Sequence, residues 1–306
     1  MPDAFNYGNR LIEHCLRPLL RLESSELQVN AYQPLSRQQM DEVNSCDYVV
    51  WPGCTLIQRK EHPGMEQLQY ATPPTFCFGG AFFTRLPFPH PQYCRRLERP
   101  VGARDSFTHR RLQLYGIESA FIGCPTVFAG SVTRWKRPAE GPVVFCFGRK
   151  DMDAQLRVFD RIRQEQPVRV VIQEEKQRQY CPPGTDIVEY DDVDKVIEAY
   201  ATASVVVTGR LHAALPAIVS GTPVVFSQLV HDSRITLLKD IGLKIHNPYS
   251  ADILPLVRGL LGGQVTLPDD MFGRIAALKE RYLAFITDFQ QRVSRLRHLS
   301  ASPRVV

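Results

Sequence analysis

The chain has 306 residues, enough for two domains of ordinary size, each around a substantial core. An apolar fraction of 44% with 23% charged residues belongs to a folded globular protein and excludes a disordered or fibrous one. The net charge of +5 comes without clustered basic runs, so it suits small anions or an anionic lipid surface and argues against nucleic acid as a partner.

No run of 18 apolar residues occurs, and the N-terminus lacks a basic segment followed by an apolar stretch, so neither a membrane span nor secretion is expected. Eight cysteines are scattered without a Cys-x-x-Cys pair and read as reduced core thiols of a cytosolic protein. The set Cys54, His62, Cys77 and Cys94 matches no structural zinc spacing, and no metal site is expected.

Asn6-Tyr7-Gly8-Asn9 reads as a turn, followed by apolar residues from Leu11 to Leu20 at helical spacing. Asp47 to Trp51 reads as a buried strand, and Thr75 to Phe78 as another that stops at Gly79-Gly80. The segment from Ile57 to Pro74 and the Pro-rich piece Leu86 to Pro91 read as surface loops suited to choosing an acceptor. Arg104-Asp105-Ser106 opens a helix that Asp105 or Ser106 caps, Gly116 stops it, and Ser119 to Ile122 forms the next strand.

Polar, Pro- and Gly-containing residues from 131 to 142 read as a linker, so an N-terminal α/β domain is placed at 1–135 and a second at 140–265. In the second, Pro142 to Phe147 is a strand, Gly148 to Asp151 a turn and Met152 to Gln164 a helix. Arg149 and Lys150 therefore stand beyond a strand end, either as phosphate ligands or as a solvated pair. A strand over Val168 to Ile172, a mixed-charge segment, a strand over Ile187 to Tyr190 and a helix over Asp192 to Thr202 follow. Residues 268–299 form an amphipathic helix expected to pack across the domains.

The most informative stretch is Val205 to Phe226. It reads as strand, tight turn at Gly209, helix from Leu211 to Ser220 and a second strand. A helix N-terminus with Arg210 beside it is an anion site, and His212 adds a group able to give and take protons near neutral pH. The strand from Val224 to Ser227 then delivers Gln228, His231, Asp232 and Arg234 toward the same place.

Arg104-Asp105-Ser106, Tyr115-Gly116-Ile117, Gly123-Cys124-Pro125, Arg210-Leu211-His212 and Asp232-Ser233-Arg234 with Ile241-Gly242-Leu243 form an ordered series. It resembles the polysaccharide pyruvyl transferase family from about Asn6 to Leu243. The resemblance departs at the N-terminus, where the family's first strand has no room before Asn6 and Asn9 stands for an acid, and at Arg234, where Lys is common.

The fold that the resemblance implies is α/β, two Rossmann-like domains with an interdomain cleft, like the GT-B glycosyltransferases, with the acceptor on the first domain and the donor on the second. The implied donor is phosphoenolpyruvate, a substrate rather than a cofactor, and the implied acceptor is a saccharide, free or lipid-linked, whose two hydroxyls become a pyruvate ketal. Arg104 and Arg210 are then expected to hold the donor's anionic ends across the cleft, with the Leu211 N–H, Arg149, Lys150 and Arg234 assisting and His212 as general acid and base. The expected location is the cytoplasm, either free or peripheral at the inner face of the membrane. A nucleotide-sugar glycosyltransferase and an inactive binding protein of the same fold remain as alternatives.

Overall fold

The computed structural model describes residues 7–21, 27–30, 33–53, 55–57, 67–68, 70–82, 92–130, 141–229 and 233–299. Asn6, Cys54, His62, the Pro-rich 86–91 piece, the linker through 140, His231 and Asp232 lie outside the described residues, as does the side chain of Arg234. The chain divides into two compact units. The N-terminal unit comprises 16–125, 232–237 and 278–306; the C-terminal unit comprises 1–15, 126–231 and 238–277.

The N-terminal unit contains β1 (Val49–Trp51), β2 (Thr55–Ile57), β3 (Thr75–Phe82), β4 (Val101–Ala103) and β5 (Ser119–Phe121), in the order β1-β3-β4-β5 with β2 paired to β3. Every pairing is parallel. β3 is buried at all eight positions, so it needs small and apolar residues on both faces. The two glycines do not stop this strand, contrary to the sequence reading. Gly79 takes φ +98°, a Cβ there would lie 2.7 Å from the Gly123 oxygen, and the β3–β4 register shifts between Phe78 and Gly80. Glycine thus lets the strand bulge and continue.

The helix Asp270–Leu299 enters this unit at Leu278. Phe289 makes edge-to-face contacts with Phe76 at 4.9 Å, Phe78 at 5.0 Å and Tyr48 at 5.6 Å, and the Tyr282 hydroxyl donates to the Phe78 carbonyl at 3.2 Å. Each such aromatic contact adds about 1 kcal/mol to the burial of the rings.

The C-terminal unit holds β6 (Val143–Cys146), β7 (Val168–Val171), β8 (Asp186–Val188), β9 (Val205–Thr208), β10 (Val224–Ser227) and β11 (Ile245–His246). They form a parallel sheet of order β11-β10-β9-β6-β7-β8. β6, β9 and β10 are buried at every position, which the runs of Val and Phe make possible. The rings of Phe145, Phe147 and Phe159 meet at tilted and edge-on angles, with centroids 4.9 to 5.4 Å apart, in the core of this unit.

The strand order reverses direction between β6 and β9. In open α/β sheets the crevice beyond the carboxyl ends of the strands at such a reversal is where ligands bind. Arg149 follows β6 and Arg210 follows β9, so the fold puts both on this crevice. At the N-terminus the expected turn is instead the start of a helix, Tyr7–Leu20, with Gly8 and Asn9 in its first turn. Residues 7–15 belong to the C-terminal unit, and the first strand of the N-terminal sheet among the described residues is β1.

Candidate functional site

The crevice begins with two glycines. A Cβ on Gly209 would lie 2.9 Å from the Ser227 backbone oxygen, too close for a side chain, whereas one on Gly148 would meet the Gly209 Cα at an ordinary 3.5 Å, so glycine is needed at the turn after β9. The Gly148 N–H donates to Gln155 Oε1 at 2.6 Å, which ties the turn to the helix Met152–Glu165. Thr208 Oγ1 donates to the Cys146 carbonyl at 2.9 Å and accepts from the Arg210 N–H at 3.0 Å. One hydroxyl therefore links the ends of the two strands to the turn that starts the next helix.

Arg210 is 9% exposed and occupies the N-cap position of the helix Leu211–Val219 without a side-chain cap bond. Its Nε donates to the Phe147 carbonyl at 2.7 Å and its Nη1 to Glu174 Oε1 at 2.9 Å, while the buried Nη2 has no hydrogen-bond partner among the described residues. Two anchored nitrogens fix the plane of the guanidinium and leave the third as a donor of set direction. The Leu211 N–H lies at the first helical position, where no intrahelical acceptor exists, and adds a second donor beside it.

Glu174 is the residue that sequence reasoning missed. It stands in the segment after β7 and accepts at Oε1 from Arg210 and from Arg149 Nε at 2.7 Å, while Oε2 lies 3.1 Å from Lys176 Nζ. Burial alone would raise its pKa, but the hydrogen bonds and charges of Arg210 and Arg149 overcome that effect and hold the carboxyl at about 2. It stands three residues past the end of β7, as Arg149 stands three past β6, but nothing local to it in the sequence shows Arg210 as its partner. Lys150 is exposed and gives its backbone carbonyl to Gln155 Nε2, so the structure brings Arg149 but not Lys150 into the ionic cluster.

His212 is half-buried in the first turn of the helix. Pro216 sits four residues later and carries no N–H for the His212 carbonyl, which instead accepts from Gln173 Nε2 at 3.3 Å. Gln173 is buried, and the same nitrogen lies 3.0 Å from the Tyr200 hydroxyl. The imidazole packs against Gly8, where a Cβ would come within 2.2 Å of His212 Nδ1. Tyr7, fully buried beside it, anchors that end of the N-terminal helix, and burial pushes its phenol pKa upward.

In the N-terminal unit Arg104 follows β4 directly and is 3% exposed. Its backbone N–H donates to the Gly80 carbonyl at 2.8 Å, whereas its buried Nε and Nη2 make no hydrogen bond among the described residues. Asp105 Oδ2 is 3.9 Å from Nε, beyond hydrogen-bond reach. Asp105 itself caps the helix Ser106–Leu114 by accepting from the Thr108 N–H at 2.8 Å, as its position implied. Arg234 falls on the short turn Ser233–Ile235.

A family model for polysaccharide pyruvyl transferase matches residues 6–227, which is more than half of the chain and includes every residue of the two arginine corners. The chain belongs to the polysaccharide pyruvyl transferase family. Membership makes a transferase acting in polysaccharide pyruvylation the broad functional class. No curated protein matches the chain.

Solved structures similar to this member of the family include S. aureus MnaA with UDP, at 11% identity and TM-score 0.63 over 97% of this chain and 96% of that one. Another is a UDP-N-acetylglucosamine 2-epimerase, at 13% identity and TM-score 0.56 over 97% of this chain and 88% of the other. At such identities the likeness is one of fold, and the fold is GT-B-like, with two Rossmann-like α/β units. Among the described residues no group of His, Cys, Asp and Glu is arranged to hold a metal ion, and no helix is long and apolar enough to cross a membrane. The described cysteines are free thiols, and Cys15, Cys77, Cys94, Cys124 and Cys146 are buried.

Proposed function

We propose that this member of the family transfers the pyruvyl group of phosphoenolpyruvate to two hydroxyls of one saccharide, forming a cyclic ketal and releasing phosphate. The observation that carries the reading is the guanidinium of Arg210, held by Phe147 and Glu174 with one buried nitrogen left as a donor at a helix N-terminus. A phosphate offers acceptor oxygens to that nitrogen and to the Leu211 N–H, through charge-assisted hydrogen bonds. Arg149 adds a second guanidinium from the neighbouring strand end.

His212 follows at the next position but one and supplies the proton. Protonation of the methylene carbon leaves a cation at the adjacent carbon, a sugar hydroxyl adds there and returns its proton to the base, and a second hydroxyl then displaces phosphate, which carries that hydroxyl's proton away. Every proton taken up at carbon is returned from a hydroxyl, so an acid that is re-formed as a base suffices. The reading assigns Arg104 to a substrate anion, in keeping with its two buried nitrogens that lack protein acceptors. The acceptor saccharide is free or lipid-linked, and the second case would bring the protein to a membrane surface.

The likeness to a UDP-containing structure sustains a second reading, in which the same corner takes the pyrophosphate of a nucleotide sugar. Incubation with phosphoenolpyruvate or with nucleotide sugars, each with a panel of saccharides, separates the two. Acceptor-dependent release of inorganic phosphate is expected; nucleotide release instead would replace the first reading by the second.

A further inference from the structure

The cluster of Arg149, Lys176, Arg210 and Glu174 holds three cations on one carboxylate. Its formal charge is therefore +2, which matches a phosphomonoester dianion. The four groups differ in freedom. The side chains of Arg149 and Lys176 are 47% and 62% exposed, whereas those of Glu174 and Arg210 are 15% and 9% exposed.

The backbone that carries the carboxylate is held from behind. The Glu174 N–H donates to Gln177 Oε1 at 3.1 Å, the Gln173 N–H donates to the same oxygen, and Gln177 Nε2 donates to the Phe147 carbonyl that also receives Arg210 Nε. Two independent lines of bonds thus run from the β7 segment to the Arg210 guanidinium, one through Gln177 and the Phe147 carbonyl and one through the Glu174 carboxylate. A guanidinium has three nitrogens, and these lines occupy two of them. The third is left with one direction.

We infer that Glu174 is the positioning residue of the donor-phosphate site, which sets the Arg210 guanidinium for a phosphomonoester dianion. This rests on the donor reading above. A carboxylate at this point has a second conceivable effect, to compete with the phosphate for the same cations. The geometry favours positioning, because Glu174 binds Nε of Arg149 and Nη1 of Arg210 and leaves Arg210 Nη2 without a partner. Removing the carboxylate adds net positive charge but frees the guanidinium to turn, and a misdirected donor loses the paired geometry on which phosphate recognition depends.

The test is a double-mutant cycle on ligand binding, with phosphoenolpyruvate and inorganic phosphate as probes and calorimetry as readout. Glu174→Ala is expected to weaken phosphoenolpyruvate binding about tenfold or more, consistent with loss of a charge-assisted contact. Glu174→Gln, which keeps an acceptor oxygen in place, is expected to return affinity to within about threefold of wild type. In an Arg210→Ala background the Glu174→Ala change should weaken binding by less than about twofold, because the residue acts through that arginine.

An equal loss in both backgrounds, or tighter binding by the Ala and Gln variants, overturns the inference. If Glu174→Ala does not fold, Glu174→Asp carries the same cycle, since it keeps the charge and withdraws the carboxylate by one methylene. A wild-type protein that binds neither probe overturns the donor reading together with this one; wild-type binding that Glu174 changes leave untouched overturns this one alone.

Discussion

Gly8→Ala is the sharpest perturbation of the site that leaves every charged group in place. An ideal Cβ at position 8 would lie 2.2 Å from His212 Nδ1, where ordinary van der Waals contact begins at 3.4 Å. The imidazole must therefore retreat by roughly 1 Å or turn about its own bonds, and displacements of that order in a reacting group cost on the order of a hundredfold in rate. The helix itself does not suffer, since alanine is a better helix former than glycine by up to about 1 kcal/mol. The expected outcome is turnover reduced about a hundredfold, with phosphoenolpyruvate affinity within about threefold of wild type and stability lowered by no more than about 1–3 kcal/mol, the usual cost of overpacking. Phosphate release, calorimetry and thermal unfolding read the three quantities. Turnover equal to wild type would refute the argument that the Gly8 contact sets the imidazole, and a large loss of stability would refute the claim that the loss of rate is local.

Three further outcomes follow from the same geometry. His212→Ala should leave donor binding largely intact and lower turnover by at least about a hundredfold, the usual contribution of a general acid and base; equal turnover would remove His212 from the mechanism. Arg104→Met should destabilise the protein by about 3 kcal/mol or more, because it leaves the fully buried Asp105 carboxylate without the guanidinium 3.9 Å away, and substrate binding should fall; substrate binding equal to wild type in the folded variant would contradict the assignment. Glu174 has a folded pKa of about 2 against an ordinary 4.5, so its ion pairs stabilise the protein above the ordinary value and lose that effect as pH falls toward the folded one. The stabilisation, on the order of 3 kcal/mol at neutral pH, should be about halved by pH 3; a stability difference between wild type and Glu174→Gln that does not shrink on acidification would refute the linkage.

The parts of the fold that are legible in the sequence are those whose side chains report their own surroundings. Val205 to Thr208 and Val143 to Cys146 are β-branched and aromatic runs, and only strands buried on both faces tolerate such runs, so β9 and β6 could be placed within a residue or two. Asp105 and Asp192 announced their helices by chemistry that acts over three residues, and both side chains accept from the backbone as expected.

Features set by distant chain were not legible. Glu174 looks like one more charge in a mixed segment until β7 and β9 bring it to Arg210, 36 residues away in sequence. Gly8 looks like a turn residue until the His212 ring is seen against it, and Gly79-Gly80 looks like a strand end until β4 is paired alongside with a shifted register. Each of these is decided by a long-range contact, which local propensity does not encode.

The central claim is that the corner at Arg210 holds the phosphate of the donor. The most direct measurement is a crystal structure of the protein with phosphoenolpyruvate. The phosphate group is expected within hydrogen-bond distance of Arg210 Nη2 and the Leu211 N–H, with the Glu174 carboxylate still bound to Nη1. Donor bound at other residues, with Nη2 of Arg210 turned away from it, would contradict the account.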